Sequence, residues 1–182
     1  MAQKWRARSD RQVASPKPLD PAALEALAIA YVGRYATSRA KLIAYLARKL
    51  RERGWEGDMS APVDVIADRM VALRYVDDAT YADMKAGAMR RRGLGRRRIA
   101  QTLRQDGIAA DVAARAGPDE AAQWEAACRF ARRKRIGPFA SAPADRQARE
   151  KQLAAFLRAG HDPALARRWI DALPGQMPDP DE

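Results

Sequence analysis

The sequence predicts an all-α protein in which three tandem three-helix repeats stack into an elongated, curved array. One observation is a helix ending that occurs three times, with leucine and arginine shortly before Gly54, Gly107 and Gly160. Gly107 follows Gly54 by 53 residues, and Gly160 follows Gly107 by the same 53. A fixed period of this length indicates a repeated supersecondary unit, and glycine is the usual left-handed residue after a helix. A second observation is that apolar residues recur at helical spacing, whereas no stretch alternates as a strand does.

The first repeat is predicted to cover residues 20–76, after a basic arm of residues 1–19 that we expect to be disordered. Its helices are expected to begin at a capping residue or at proline. These starts are Asp20-Pro21, Thr37-Ser38 and Ser60 to Pro62. The side chains predicted to face inward are Leu24, Leu27, Tyr31, Tyr35, Leu42, Tyr45, Leu46, Leu50, Val63, Ile66, Met70 and Leu73.

The second repeat is predicted to cover residues 77–116 and the third residues 117–173, followed by a disordered acidic tail of residues 174–182. Carboxylates that cap and favour helix starts precede several of their predicted helices. These carboxylates are Asp77, Asp78, Asp119 and Asp162. The inward side chains are Tyr81, Met84, Ala88, Ile99, Leu103, Trp124, Cys128, Ala131, Leu153, Phe156, Leu157, Leu165, Trp169 and Leu173. At the 53-residue interval, Leu46 matches Ile99 and Leu50 matches Leu103.

The charge balance favours a polyanionic partner, either nucleic acid or an acidic protein surface. The chain has 34 Lys and Arg against 23 Asp and Glu, a net charge of +11. Its single cysteine, Cys128, excludes an internal disulfide and fits a reducing cytoplasm. No apolar stretch is long enough to span a membrane. We therefore expect a cytoplasmic monomer that has no membrane contact.

No residue pattern favours catalysis, so we expect no enzyme activity, no cofactor and no metal. His161 is the only histidine, and it is interpreted as a surface or C-cap residue because no second ligand accompanies it. Cys128 lies on an apolar helix face, which favours packing over nucleophilic chemistry. The pair Asp77 and Asp78 is explained by helix capping. The segment 93–95 lacks the spacing and the lysine of a phosphate-binding loop.

Basic residues cluster in the second and third repeats. The segment from Lys85 to Arg104 contains eight cations and no acid, and a second cluster ends the first helix of the third repeat. Stacking in register would align these clusters as one stripe, which suits a phosphate backbone. The residues predicted to bind DNA phosphates or an acidic partner surface are Arg90, Arg91, Arg92, Arg96, Arg97, Arg98, Arg104, Arg132, Arg133, Lys134 and Arg135. The predicted secondary basic contacts are Arg39, Lys41, Arg48 and Lys49.

A simpler interpretation is that these arginines complement helix dipoles and stay solvated. That explains one or two of them, but not the triplets 90–92 and 96–98 on both sides of one loop. Few aromatic residues lie near the clusters, so base stacking is not expected and binding should be insensitive to sequence.

Three segments together resemble the central signature of the bacterial RecX regulatory family. They are Arg74 to Ala82, which reads RYVDDATYA, the arginine-rich stretch Arg90 to Gly95, and Arg97 to Ile108, which reads RRIAQTLRQDGI. Weaker similarity extends over roughly residues 22–173, and Val76 stands where leucine is common in the family. The resemblance implies an elongated helical-repeat protein without catalytic activity. It also implies a position in the groove of the RecA filament on single-stranded DNA, where RecX restrains ATP hydrolysis, strand exchange and filament growth.

Two functions are therefore expected. The first is a RecA inhibitor that binds the RecA filament and its single-stranded DNA, and so modulates homologous recombination, DNA repair and the SOS response. The alternative is a stand-alone DNA-binding helical module without sequence preference. In both cases the function should be concentrated in the second and third repeats, because the buried positions repeat along the chain and the arginines do not.

Overall fold

A computed structural model describes residues 17–180 and shows only helices and loops in this range, which confirms the all-α prediction. The first repeat contains α1 (Pro21–Val32), α2 (Arg39–Arg53) and α3 (Val63–Ala72). The second contains α4 (Asp78–Arg91), α5 (Arg96–Gln105) and α6 (Ala110–Arg115). The third contains α7 (Glu120–Lys134), a 3₁₀ turn (Gly137–Phe139), α8 (Arg146–Ala159) and α9 (Pro163–Asp171).

Each repeat has a hydrophobic core of its own. Leu24, Leu42, Leu46 and Met70 are fully buried in the first, and Ile99 and Leu103 are the centre of the second. Phe130, Phe156 and Trp169 form the centre of the third. Leu94 packs against both the second and the third core. Burial of one such side chain stabilises the fold by about 1.5–3 kcal/mol, so each triplet of helices is held mainly by its own apolar residues.

Side-chain caps begin six of the helices. In each case an aspartate or serine oxygen accepts a hydrogen bond from a backbone amide in the first turn, which contributes about 1 kcal/mol. These capping residues are Asp20, Ser38, Asp77, Asp119, Asp145 and Asp162. Asp78 differs from the prediction, because its carboxylate accepts a hydrogen bond from the Arg39 amide of the first repeat at 2.8 Å.

The three recurring glycines have positive φ angles of 82°, 76° and 90° at Gly54, Gly107 and Gly160. Gly160 adopts the predicted left-handed conformation, whereas the chain leaves Gly54 extended, with a ψ of 174°. Gly107 and Gly160 also permit close approach between repeats. A Cβ atom on Gly107 would lie 2.1 Å from the Ala40 Cβ, and one on Gly160 would lie 2.3 Å from the Arg98 amide nitrogen. The end of the second helix of one repeat thus touches the start of the second helix of the preceding repeat.

The predicted matching of buried leucines is shifted by one helical turn. Leu42 and Leu46 are fully buried in α2, whereas Leu50 is only partly buried. Counted from the helix starts, Leu42 corresponds to Ile99 and Leu46 to Leu103. The two helices differ in length, because α2 has 15 residues and α5 has 10. An alignment on the glycines that follow their ends therefore does not align their first residues.

Five side chains predicted to face inward are exposed: Tyr35, Leu73, Met84, Leu157 and Leu173. Three of them lie just beyond a helix end, where the chain turns away from the core. The other two lie within helices whose inward positions are taken by neighbours, as Phe156 takes the position beside Leu157.

The chain ends depart from the predicted disordered segments. Leu19 is fully buried in the first core, and its amide donates to the Gly54 carbonyl at 3.0 Å. The prediction of disorder is therefore wrong at Leu19, while residues 1–16 lie outside the described range. In the predicted tail, the Gly175 amide donates to the Pro138 carbonyl at 2.9 Å. Residues 181–182 of that tail are also outside the described range.

Candidate nucleic-acid interface

The two arginine clusters meet where the second repeat packs on the third. Arg92 directly follows α4 as its C-cap, and its carbonyl oxygen accepts a hydrogen bond from the guanidinium of Arg133 near the end of α7. Gly93 makes this approach possible, because a Cβ atom there would lie 3.0 Å from the Phe130 amide nitrogen. Segments that are 41 residues apart in sequence therefore contribute to one surface, which we call the arginine edge (residues 90–98 and 132–135).

The start of α5 is fixed at the same junction by backbone hydrogen bonds. The Gly95 amide donates to the Ala159 carbonyl at 2.9 Å, and the Arg97 amide donates to the Gly160 carbonyl at 3.0 Å. The first turn of α5 consists of Arg96, Arg97 and Arg98, so the fold holds these three arginines against the end of α8.

Little acidic charge balances the arginine edge. Arg97 pairs with Asp162 at 3.6 Å, but both side chains are more than half exposed, so the pair is weak. Arg98 donates to the neutral amide of Gln101 at 3.2 Å. Every arginine and lysine of the edge is exposed except the half-buried Arg90. Most of these cations can therefore bind an external anion.

Aromatic rings support two of the guanidinium groups. Arg132 lies over the Phe139 ring at 5.0 Å from its centroid, and Arg133 lies over the Phe130 ring at 5.6 Å. Stacking occupies one face of a guanidinium and leaves its edge N–H groups free to donate in a fork to phosphate or carboxylate. The positions of these cations in the last turn of α7 also complement the helix dipole.

Arg96 and Arg104 flank a groove between α5 and α6. The groove has a volume of about 200 Å³. The other residues that line it are small: Ala100, Ala110, Ala113, Ala114 and Gly117. Because Arg96 and Arg104 are eight positions apart on one helix, they lie on the same face about 12 Å apart along the axis. Arg104 thus extends the cationic surface along α5, away from the arginine edge.

The predicted secondary contacts of the first repeat differ, because all four are in ion pairs. Arg39 bonds to Asp68 at 2.7 Å and to Asp64 at 3.1 Å, and the hydrogen bond to Asp68 raises the pKa of Arg39 further. Lys41 pairs with Asp106 at 3.3 Å. Arg48 and Lys49 share Glu52, at 3.5 Å and 2.6 Å. Internal carboxylates thus compensate these charges in large part.

Asp106 organises the junction between the first two repeats, a role that the sequence reasoning missed. Its carboxylate accepts a hydrogen bond from the Tyr81 hydroxyl at 2.7 Å and lies 3.7 Å from the Lys85 ammonium. Its backbone carbonyl accepts from the Ser38 hydroxyl at 2.5 Å. Burial, together with this hydrogen bond to Asp106, raises the pKa of Tyr81. An available signal was that only the second of the three helix endings has an acid directly before its glycine.

His161 is buried beneath the arginine edge, so the prediction of a surface position is wrong. Its amide completes the C-cap of α8 by donating to the Phe156 carbonyl at 3.1 Å. Its imidazole Nε2 donates to the Gly93 carbonyl at 3.1 Å, and Nδ1 has no hydrogen-bond partner among the described residues. Burial lowers the pKa of His161, the bond to Gly93 opposes this, and the charge of Arg133 lowers the pKa further.

Sequence comparison assigns the chain to a family. A family model described as the second three-helix domain of RecX matches residues 77–116. The regulatory protein RecX of Myxococcus xanthus is 34% identical over 176 residues, which cover 92% of this chain and 94% of that protein. This chain belongs to the RecX family. RecX of Agrobacterium fabrum is 31% identical over 119 residues, which cover 63% of this chain and 64% of its own.

Solved RecX structures share the fold. The crystal structure of RecX from Lactobacillus salivarius superposes with a TM-score of 0.66 at 18% identity and covers 82% of this chain and 94% of its own. A second crystal structure, of a regulatory protein RecX, has a TM-score of 0.61 at 22% identity, with coverage of 83% and 73%. The all-α repeat architecture predicted from the sequence is thereby confirmed.

Some residues that carry the RecX resemblance hold the repeats together, and others lie on the surface. Tyr81 and Asp106 bind each other at the first junction, and Gly107 provides its close contact. The arginines of the same signature are exposed instead, apart from the half-buried Arg90. Within residues 17–180, no group of His, Cys, Asp or Glu side chains could hold a metal ion. In the same range, no helix has the length and apolar character that crossing a membrane requires.

Proposed function

We propose that this member of the RecX family binds the RecA filament on single-stranded DNA and inhibits RecA ATPase activity, strand exchange and filament growth. Membership of the RecX family supports the regulatory part of this proposal. The observation that carries the binding part is the contact between Arg92 and Arg133, which joins two basic clusters into one exposed surface with little acidic compensation.

The arginine edge is proposed to bind anions through charge and hydrogen bonds, not to catalyse a reaction. Guanidinium groups donate two parallel hydrogen bonds to a phosphate or carboxylate, and neutralised DNA phosphates release counterions. A rigid cationic surface held at a repeat junction can bind the DNA backbone, or acidic side chains of the filament, without reading bases. Inhibition then follows from occupation of a surface that the filament needs for exchange and growth.

An ATPase assay with matched charge-reversal variants tests the proposal. The edge variant replaces Arg91, Arg92, Arg96 and Arg98 by glutamate. The control variant makes the same charge change at exposed cations elsewhere, namely Arg51, Arg115, Arg146 and Lys151. We expect the edge variant to lose RecA inhibition at concentrations where the wild type and the control inhibit fully. Wild-type inhibition by a folded edge variant would overturn the assignment.

The second candidate function is a stand-alone DNA-binding module without sequence preference. It is favoured by the same exposed edge, which could bind bare DNA in the absence of any filament. This function predicts an affinity for single-stranded DNA that falls steeply with salt and does not change when RecA is present. Comparison of affinities with and without RecA at one salt concentration distinguishes the two functions.

We also propose that the chain is a cytoplasmic monomer whose repeats cover residues 20–76, 77–116 and 117–173. Each repeat has its own core, which supports this division. Sedimentation velocity of the purified protein tests the monomer, since a dimer would double the mass of 20.2 kDa.

A further inference from the structure

Three tyrosines of the first repeat form a ladder at its surface. The rings of Tyr31 and Tyr45 stack with centroids 4.0 Å apart and planes inclined by only 13°. The Tyr35 ring lies against Tyr31 at a centroid distance of 5.3 Å and an inclination of 49°. Tyr35 is 58% exposed. We call these three residues the tyrosine ladder (Tyr45, Tyr31 and Tyr35). Its last ring, that of Tyr35, is mostly exposed to solvent.

Packing of the first core explains only part of this ladder. Tyr31 and Tyr45 are half-buried and pack against the core, so a structural role explains them. Tyr35 is different, because it lies beyond the end of α1 and its side chain is mostly exposed. A large exposed ring in continuation of a stack offers a surface on which another ring can lie.

Cations surround the tyrosine ladder. The guanidinium of Arg48 lies 5.5 Å from the Tyr45 ring centroid, and the ammonium of Lys49 lies 6.0 Å from it. Glu52 pairs with both, so this group of three keeps one net positive charge. Arg34, which directly precedes Tyr35 in the chain and is exposed, adds a further charge. Aromatic rings interleaved with positive charge are the combination that proteins use to bind single-stranded nucleic acid.

Tyr45, the member of the tyrosine ladder in α2, lies on the helix face that corresponds to the face of Arg98 in α5. At the 53-residue interval, Tyr45 in α2 corresponds to Arg98 in α5. Counted from the two helix starts, Tyr45 corresponds instead to Thr102, one turn further along α5. Positions one turn apart share a helix face, so both alignments give the same result. The first and second repeats therefore present Tyr45 of the ladder and Arg98 of the arginine edge on equivalent faces of their second helices.

We propose that the tyrosine ladder is a base-stacking site, at which an unpaired nucleobase lies on Tyr35 while Arg34 and Arg48 contact the adjoining phosphates. This inference rests on the proposed function and specifies its ligand as a single strand with accessible bases. It also revises the expectation from sequence that base stacking has no part in binding. Duplex DNA does not fit such a site, because its bases are already stacked and paired.

Binding of two oligonucleotides with equal phosphate charge tests the proposal. Fluorescence anisotropy compares an oligothymidylate with an abasic oligonucleotide of the same length, at one salt concentration and without RecA. We expect the wild type to prefer the oligothymidylate by roughly fivefold to a hundredfold, the range that stacking of one base gives. Tyr35→Ala should remove this preference, and Tyr35→Trp should restore it.

The matched control is Tyr75→Ala. Tyr75 is 60% exposed in the same repeat but lies outside the ladder, so its removal should leave the preference intact. Equal affinity of the wild type for both oligonucleotides overturns the stacking site and leaves the proposed function standing. A preference that survives Tyr35→Ala, combined with weaker binding to RecA filaments, overturns it in favour of a protein contact. Failure to bind either DNA or filaments overturns the proposed function itself.

Discussion

The two junctions between repeats use the same packing device and carry opposite charge patterns. At both, a glycine at the end of one second helix lies against the first turn of the preceding second helix. At the first junction, Asp106 neutralises Lys41 and binds Tyr81. At the second, backbone hydrogen bonds and the buried His161 hold the contact, while the surrounding arginines are exposed. The first junction thus has a structural role only, whereas the second also presents the exposed arginines that we propose bind a polyanion.

The largest effect is expected from Gly160→Ala, which breaks the second junction. The new Cβ atom would lie 2.3 Å from the Arg98 amide nitrogen, at a φ of +90°. Strain of about 1–2 kcal/mol from the left-handed backbone adds to about 1–3 kcal/mol from overpacking, so unfolding free energy should fall by roughly 2–5 kcal/mol. Chemical denaturation measures this change.

Gly175→Ala is the matched control, because Gly175 has a φ of +80° but no atom within 4 Å of its Cβ position. This variant introduces the backbone strain without the close contact, so its unfolding free energy should fall by only about 1–2 kcal/mol. If both glycine variants had equal stability, close contact would not explain the second junction.

Asp106→Ala should break the first junction with an intermediate effect. The substitution leaves the Tyr81 hydroxyl and the Lys41 ammonium without their acceptor in a partly buried site. We expect a loss of about 1–3 kcal/mol in unfolding free energy. Asp111→Ala, which removes an exposed pair with Arg115, should change stability by less than about 0.5 kcal/mol. Indistinguishable effects of the two variants would contradict the role of Asp106.

Just below pH 6.5, the pH dependence of stability should report on His161 at the second junction. Because the folded pKa of His161 is lowered from 6.5, the unfolded chain binds a proton more readily at this residue. The contribution of His161 is therefore fully present above pH 6.5 and is lost as the pH falls through the lower, folded pKa. His161→Gln keeps a donor for Gly93 and should flatten the pH dependence just below 6.5. If the pH dependence of stability were unchanged in that variant, a group other than His161 would be responsible for it.

Arg97→Gln should give the smallest change in stability. Its pair with Asp162 is exposed on both sides, so the loss should be under about 0.5 kcal/mol. If Arg97 contacts a phosphate of single-stranded DNA, the slope of log affinity against log salt should decrease by about 0.7. A large stability loss with an unchanged salt slope would make Arg97 a structural residue and weaken the comparison.

The sequence predicted the helices well, because capping residues, prolines and glycines act locally. Asp20 and Asp119 cap helices where the pattern placed them. Exposure was predicted less well near helix ends, as Tyr35 and Leu73 show, since periodicity does not reveal where the chain leaves the core. The lengths of α2 and α5 differ, and this shifted the matching of their leucines by a turn.

Long-range contacts were beyond the reach of sequence reasoning. Repeat stacking suggested that the basic clusters would align, but the bond between Arg133 and the Arg92 carbonyl depends on the close approach at Gly93. A lone His161 gave no sign that its ring would be buried between Phe130 and Phe156. Charge counts could not show that Arg39 is already paired with two aspartates while the arginine edge has little compensation.

Cosedimentation with RecA filaments tests the central claim most directly. The wild type, the edge variant and its charge-matched control are each spun with RecA on single-stranded DNA, and with DNA alone, at the same salt concentration. We expect the wild type and the control to pellet with filaments in preference to bare DNA, and the edge variant to stay in the supernatant. Pelleting of a folded edge variant to the wild-type extent would contradict it.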